Sequence, residues 1–291
     1  MDFRTELLKH LQRTEPTTDA DLEVFVEDII APNQEKLPIL YRFSPADYYN
    51  IRAFETQTLF LSEMGKMNDI FEGLSCAIDD KVISSIEKLS DVAYLKSFTE
   101  TKDDLKMWSM YADNYAGMCV AYDFRECEHN FIYHLFPVCY SETRQTKPRL
   151  ENAAFELEKL KLDIAEANAL SECEAIRDIM SLFLTKSRNW ENEREWRVVV
   201  TYPQLKLYAH NLPNEESSFF YDITERTIYI PYATDVYLAP KMPELVKKHI
   251  REIADRLNIQ VHEMQLDPQR YSLVENAKIE SSPAEKSGGI E

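Results

Sequence analysis

The stretch Trp190-Glu191-Asn192-Glu193-Arg194-Glu195-Trp196-Arg197 runs directly into Val198-Val199-Val200, and it limits the possible folds more than any other part of the chain. A valine run bordered by tryptophan reads as the start of a buried strand. Three carboxylates nevertheless enter it at every second position. Side chains at i, i+2 and i+4 of a strand share a face, so Glu191, Glu193 and Glu195 are expected in one row with Arg197 next in line. Trp196, Val198 and Val200 then form the opposite, core-facing row. Like charges held that close repel and raise one another's pKa, so folding alone gives little reason to stack them. The row is either a solvated face on which Arg197 neutralises a neighbour, or a carboxylate pair that does chemistry at the mouth of a sheet. If repulsion dominates, Glu195→Gln leaves stability unchanged or slightly higher.

At 291 residues the chain is long enough for one large domain or two small ones. Hydrophobic residues make up 44% and aromatics 11%, which supplies a sizeable core and argues against overall disorder. A formal net charge of −18 repels phosphate backbones and anionic membranes, so neither duplex nucleic acid nor a membrane is an expected partner. A local basic patch remains compatible with a nucleotide or a single strand, and a small-molecule ligand or acceptor is the expected partner. Cys76, Cys119, Cys127, Cys139 and Cys173 are odd in number and include no CxxC pair, which fits a reducing compartment and supports no zinc site. Met1 to Glu6 lacks the basic and apolar blocks of a signal peptide, and no apolar run approaches membrane-spanning length. A soluble, acidic, cytoplasmic protein is expected.

Periodicity and punctuation divide the rest. Leu7, Leu8 and Leu11 share a face of one short helix, and Thr18-Asp19 caps a second that carries Leu22, Phe25, Ile29 and Ile30. Strands are expected at 39–43, 58–61, 93–99, 117–122, 131–140 and 196–202, through 227–238, and at 259–264. Ser44-Pro45-Ala46-Asp47 reads as a helix start with Ser44 at the cap. Further helices are expected at 80–89, around Met107 to Tyr111, and at 244–257. The expected organisation is an N-terminal helical extension over 1–36, a single α+β domain over 37–275 with a helical insertion at about 150–186, and a disordered tail over 276–291. Strict β-α-β alternation and the Rossmann and P-loop fingerprints are missing. The fold class is therefore α+β: mixed or antiparallel sheets with a cleft, flanking helices packed on one side, and the insertion.

Several short motifs bring polar groups into this frame. Arg42 is a lone cation in the aromatic strand Tyr41-Arg42-Phe43, where it either pairs one of the many acids or grips a phosphate with its planar fork. Asn68-Asp69 reads as a turn or helix cap, or as a pair that binds a ribose or, with Glu72, a divalent cation. Ser97-Phe98-Thr99 alternates hydroxyls on one strand face with Phe98 in the core. Trp108 and Tyr111 lie three apart on a helical turn, suited to core packing or to walling a planar ring.

Taken in order, Leu40-Tyr41-Arg42-Phe43, Asn68-Asp69-Ile70-Phe71-Glu72, Ser97-Phe98-Thr99-Glu100, Trp108 to Asp113, Gly117, Trp190 to Arg197 and Val236 to Lys241 resemble the bacterial family called domain of unknown function 2971, over roughly residues 38–275. Ile70 stands where that family usually carries proline. This resemblance implies no activity. A second resemblance lies in the order of an Arg on an early strand, a Ser-x-Thr on a middle strand and a Glu-x-Glu before a later one, which is similar to the arginine–serine–glutamate arrangement of ADP-ribosyltransferases. It implies a cleft between two small sheets in which the nicotinamide–ribose bond of NAD is split. Carried over by position, Arg42 with Tyr41 is the anion grip, Ser97 and Thr99 are the strand hydroxyls, Glu195 is the catalytic carboxylate and Glu193 orients the acceptor. Asn68 and Asp69 border the cleft, and Trp108 and Tyr111 wall the ring. The gap from Thr99 to Glu193 is wider than in compact members, and the middle motif lacks Ser-Thr-Ser. Two other readings stand beside this one: a divalent-metal hydrolase built on Asp69, Glu72, Glu193 and Glu195, and a non-catalytic binding or regulatory domain whose acidic row docks a basic partner.

Overall fold

Met118-Cys119-Val120-Ala121-Tyr122 carries no charge and is buried along its whole length, and the main sheet extends outward from it on both sides. The computed structural model describes residues 2–11, 33–63, 67–69, 71, 93–127, 135–143, 183–201, 221–222 and 226–276. Its strands are β1 (Leu40–Ser44), β2 (Thr58–Phe60), β3 (Ser62–Glu63), β4 (Ala93–Thr99), β5 (Met118–Tyr122), β6 (Leu135–Pro137), β7 (Cys139–Ser141), β8 (Thr185–Ser187), β9 (Glu195–Thr201), β10 (Tyr221–Asp222), β11 (Thr227–Tyr229), β12 (Ala233–Leu238), β13 (Gln260–Leu266) and β14 (Leu273–Glu275). The α-helices among the described residues are α1 (Phe3–Leu11), α2 (Tyr48–Glu55), α3 (Leu105–Met110) and α4 (Glu244–Leu257).

The main sheet runs β14-β13-β12-β5-β1-β4-β9-β6, with β3 also paired to β4. Only β12 and β13 pair in parallel within it. A parallel pair needs a crossover, and α4 provides it. Smaller sheets of order β10-β11-β2 and β7-β8 complete the α+β fold. Strand alternation distributes the core. Met118, Val120 and Tyr122 of β5 join one apolar cluster with Ile250, Ile253 and Ala254 of α4, whereas Cys119 and Ala121 join the other with Met107 and Trp108 of α3. Helices therefore cover both faces of the sheet, not one. α1 is also part of the core, through Phe3 and Leu7.

Ser44, expected to cap a helix, instead ends β1 opposite Met118. The N-cap of α2 is Asp47, whose carboxylate accepts from the Asn50 backbone N–H at 2.8 Å. At the other end of the chain α4 stops where Asn258 takes the left-handed conformation (φ 56°, ψ 40°), one of few residues that do so at low cost. The expected helices at 18–30 and 80–89, the insertion over 150–182 and the tail from 277 lie outside the described residues.

The sheet parts at its centre. β1 pairs with β5 at all five residues but with β4 only at Tyr41 opposite Thr99. β3 takes the other end of β4, at Leu95 and Tyr94. Between these contacts Lys96, Ser97 and Phe98 have no strand partner on that side among the described residues, and the gap opens a cleft.

Gly117 sets how closely β1 approaches the turn before β5. A Cβ placed there would overlap the Ser44 carbonyl oxygen and come within 2.9 Å of the Ala112 backbone. Gly117 also donates to the Ala112 carbonyl (2.8 Å) and accepts from the Ala239 amide (3.1 Å), so its backbone is fixed on both sides. Gly117→Ala is expected to lower the free energy of unfolding by about 1–3 kcal/mol, read as a lower urea midpoint with an unchanged slope.

Candidate functional site

The cleft holds a cavity of about 220 Å³ between the diverging strands. β1 contributes Tyr41, Arg42 and Phe43 to its wall, and the free edge of β4 contributes Lys96 to Thr99. Asn68 closes one side and Tyr111, just past α3, another. Opposite the cations stands a wall made of Lys186, Glu193 and Glu195.

The acidic row is not a strand face. Arg188–Glu193 forms a 3-10 helix, Arg194 follows in the left-handed region (φ 44°, ψ 49°), and β9 begins only at Glu195. Glu191 is left exposed on that helix, 3.8 Å from Arg188. The turn brings Glu193 and Glu195 together by a different route, around the ammonium of Lys186. Its Nζ donates to Glu193 Oε2 at 2.7 Å and to Glu195 Oε2 at 3.0 Å. Tyr111 donates its hydroxyl to Glu193 Oε1 at 2.7 Å. Arg197, with 0% of its surface exposed, grips Glu195 with two donors, Nε at 2.7 Å and Nη2 at 3.1 Å, and donates Nη1 to the Phe183 carbonyl at 2.6 Å. Arg4 of α1 adds a clamp from outside, donating to the Glu195 and Val138 carbonyls at 3.1 and 2.7 Å and to Glu100 at 2.9 Å.

Charge pairing, not repulsion, governs the titration of this wall. Burial alone would raise the Glu195 carboxyl, but Arg197 and Lys186 outweigh it and hold it down at about 2. For Lys186 burial acts downward, and the two carboxylates overcome it and raise the ammonium. Burial and the neighbouring Glu193 charge push the Tyr111 hydroxyl up, so it remains a donor.

The other side of the cavity is cationic. Arg42 has one hydrogen-bonded side-chain partner, Asn50 Oδ1 at 3.3 Å, and burial lowers its pKa. Lys96 is pushed well below the usual lysine value, first by burial and then by the charge of Arg42. Neither has a carboxylate within ion-pair distance among the described residues.

Of the residues singled out in the sequence, Tyr41, Arg42, Asn68, Ser97, Thr99, Tyr111, Glu193 and Glu195 all line this cavity. Trp108 does not wall a ring: it is fully buried, packed edge-on against Phe43 with centroids 5.0 Å apart, and its Nε1 donates to the Lys102 carbonyl at 2.7 Å. Asp69 is buried off the cavity wall and accepts from the Phe71 amide at 3.0 Å, as a turn residue does. Glu72 lies outside the described residues, and Glu193 and Glu195 are already bonded to cations. No cluster of metal-ligating side chains occurs among the described residues. Sequence reading missed Lys96 and Lys186. Lys96 sits beside Ser97 and was visible, but a lysine in a strand usually points to solvent; Lys186 fell inside the expected insertion.

The pairing overturns the expectation that removing the Glu195 charge is harmless. Glu195→Gln leaves the buried Arg197 guanidinium without its carboxylate charge and should cost about 3–5 kcal/mol at pH 7 by urea unfolding. The folded pKa of Glu195 lies below its ordinary value, so its ion pairs stabilise the protein at pH above about 4.5 and are lost as pH falls toward about 2. Thermal melts between pH 2 and 7 should therefore show a shallower acid limb in Glu195→Gln than in wild type. Equal stability at pH 7 would restore the repulsion view.

No helix among the described residues is long and apolar enough to cross a membrane. No curated protein and no solved structure matches the chain. Residues 107–198, a narrower span than the motifs cover, match the family described as protein of unknown function (DUF2971), and within that span lie Tyr111, Lys186, Glu193, Glu195 and Arg197.

Proposed function

We propose that this chain is an ADP-ribosyltransferase-like enzyme that cleaves the nicotinamide–ribose bond of NAD in the parted sheet. The observation that carries the reading is the succession of three neighbouring strands. Arg42 lies on β1, Ser97 and Thr99 on the adjacent β4, and Glu195 at the head of β9 beyond it, with all four residues on one cavity. Thr99 sits directly opposite both Tyr41 and Glu195 in the ladders, so these three share one face of the sheet, while Arg42, the next residue of β1, reaches the cavity from the other face.

The chemistry asks little of the protein beyond placed charge. As the C1′–N bond breaks, nicotinamide leaves as a neutral molecule and positive charge develops on the ribose. Glu195 lines the cavity together with its partner Lys186, whereas Arg197 holds it from outside that lining, so the carboxylate is the anionic group placed beside that centre. Glu193 orients the attacking hydroxyl or water and receives its proton, giving ADP-ribose on the acceptor, or free ADP-ribose with water. Lys186, Tyr111 and Arg197 hold both carboxylates in place, so no reorganisation is needed as charge develops. At about 220 Å³ the cavity is below the usual range for a drug-sized ligand and suits one end of the dinucleotide, with the remainder outside. A cytoplasmic location fits an odd number of scattered cysteines with no CxxC pair.

A non-catalytic binding domain is the second reading. It is favoured by the engagement of both Glu195 oxygens with cations inside the protein, which leaves less charge for a transition state. In this version the ligand enters the cavity, because Glu193 and Glu195 are too buried to dock a basic protein surface.

Nicotinamide release at saturating NAD separates the two. The transferase reading expects turnover by wild type, a fall of roughly 10²–10³-fold in kcat for Glu195→Gln at a temperature where it is folded, and a similar direction for Glu193→Gln. Arg42→Ala should instead raise KM with a smaller change in kcat. If wild type releases no nicotinamide with water or any acceptor, yet NAD or ADP-ribose raises the melting temperature, the binding-domain reading replaces it.

A further inference from the structure

The cavity contains two cations with no carboxylate within ion-pair distance among the described residues. Every other side chain in its charged wall is matched: Glu193 and Glu195 meet Lys186 and Arg197, and Tyr111 donates to Glu193. Among the described residues Arg42 and Lys96 have no such answer. They project from β1 and β4 where these strands part, both line the same cavity, and the one described acceptor for the Arg42 side chain is an amide oxygen at 3.3 Å. Two like charges withdrawn from water and facing one space are costly to the empty protein. An anion between them removes both the repulsion and the desolvation cost, and hydrogen bonds from charged donors are the strong ones.

We propose that Arg42 and Lys96 form a two-point site for the phosphate group of an anionic ligand, and that the site takes up a proton on Lys96 as the anion binds. The proposal extends the NAD reading by adding Lys96, which no motif had marked, to the diphosphate grip, and it holds equally for a phosphate-bearing ligand that is never cleaved. Proton uptake follows from linkage. In the empty cavity Lys96 releases its proton more readily than an ordinary lysine, for reasons of burial and of Arg42's charge. A bound phosphate reverses the second effect and offsets the first, so the bound form holds the proton to higher pH. Affinity should therefore fall as pH rises through the range in which the free protein loses that proton. The strand edge adds neutral donors nearby, since Lys96 to Phe98 have no partner strand on the cavity side among the described residues.

The test uses ADP-ribose, whose two phosphates carry fixed charges between pH 7 and 10, and inorganic sulfate as a second probe with no titration there. Calorimetric titration of the full chain, in paired buffers of different ionisation enthalpy, measures both affinity and protons exchanged. Wild type should bind with net proton uptake at some pH in this range. Lys96→Arg should bind with no uptake, because its guanidinium keeps its proton. Lys96→Met should bind at least about 10-fold more weakly and melt no lower than wild type, since it removes an unmatched buried charge. Sulfate binding without ADP-ribose binding keeps the anion site and removes the dinucleotide. The proposal is overturned if neither probe binds, or if Lys96→Met binds ADP-ribose as tightly as wild type. The second outcome leaves the nicotinamide-release experiment to decide the catalytic reading on its own.

Discussion

A guanidinium with no exposed surface must be answered by acceptors, and the answer to Arg197 organises the centre of this protein. Glu195 supplies two oxygens and Phe183 a carbonyl, so the head of β9 and the segment before β8 are fixed to each other through a single side chain. Lys186 then extends the pairing to Glu193, and Tyr111 ties Glu193 to the end of α3. The contiguous run from Phe183 through β8 and the 3-10 helix to the head of β9 thereby folds into one carboxylate wall, to which Tyr111 ties the distant α3. Breaking such a buried pair leaves a charge without its partner, which is why removing one member is strongly destabilising. Arg4 reinforces the arrangement from outside by binding backbone carbonyls of the same region.

The parting of the sheet gives that wall something to face. Had β1 continued to pair with β4 beyond Tyr41 and Thr99, the space now open would be filled by a ladder. Instead β1 follows β5, held by Gly117's close approach to Ser44, while β3 captures the far end of β4. The cavity is thus a consequence of strand allegiance more than of side-chain size. Its two sides differ in electrostatic state. The Glu193–Glu195 side is internally matched, whereas Arg42 and Lys96 have no carboxylate within ion-pair distance among the described residues.

Much of the strand inventory was legible because it rests on local patterns. The chain Ala93 to Thr99 and the helix Glu244 to Leu257 occur with the bounds that alternation and helical spacing predict. The acidic row was legible in composition but not in geometry. Alternation predicted three carboxylates on one strand face, whereas the left-handed Arg194 breaks the strand and turns Glu191 out to solvent. Nothing in a period-2 pattern reveals such a break, since arginine seldom takes that conformation. Lys96 and Lys186 were missed for a physical reason as well: a lysine's surroundings are set by which strands pair beside it, and pairing is non-local. Trp108 shows the opposite error, an aromatic read toward the site that the core absorbed.

The unpaired stretch of β4 has a further consequence. An unpaired strand edge ordinarily invites another chain to add itself, and proteins blunt such edges at the rims of their sheets with charge or distortion. Here the segment from Lys96 to Phe98, which has no strand partner on that side among the described residues, lies inside the sheet, between β1 on one flank and β3 on the other. No strand of another molecule fits into a gap three residues long that is closed at both ends. Peptide groups that would be a hazard at the periphery become, in this setting, a recognition surface screened by size: accessible to a compact molecule, and closed to a polypeptide.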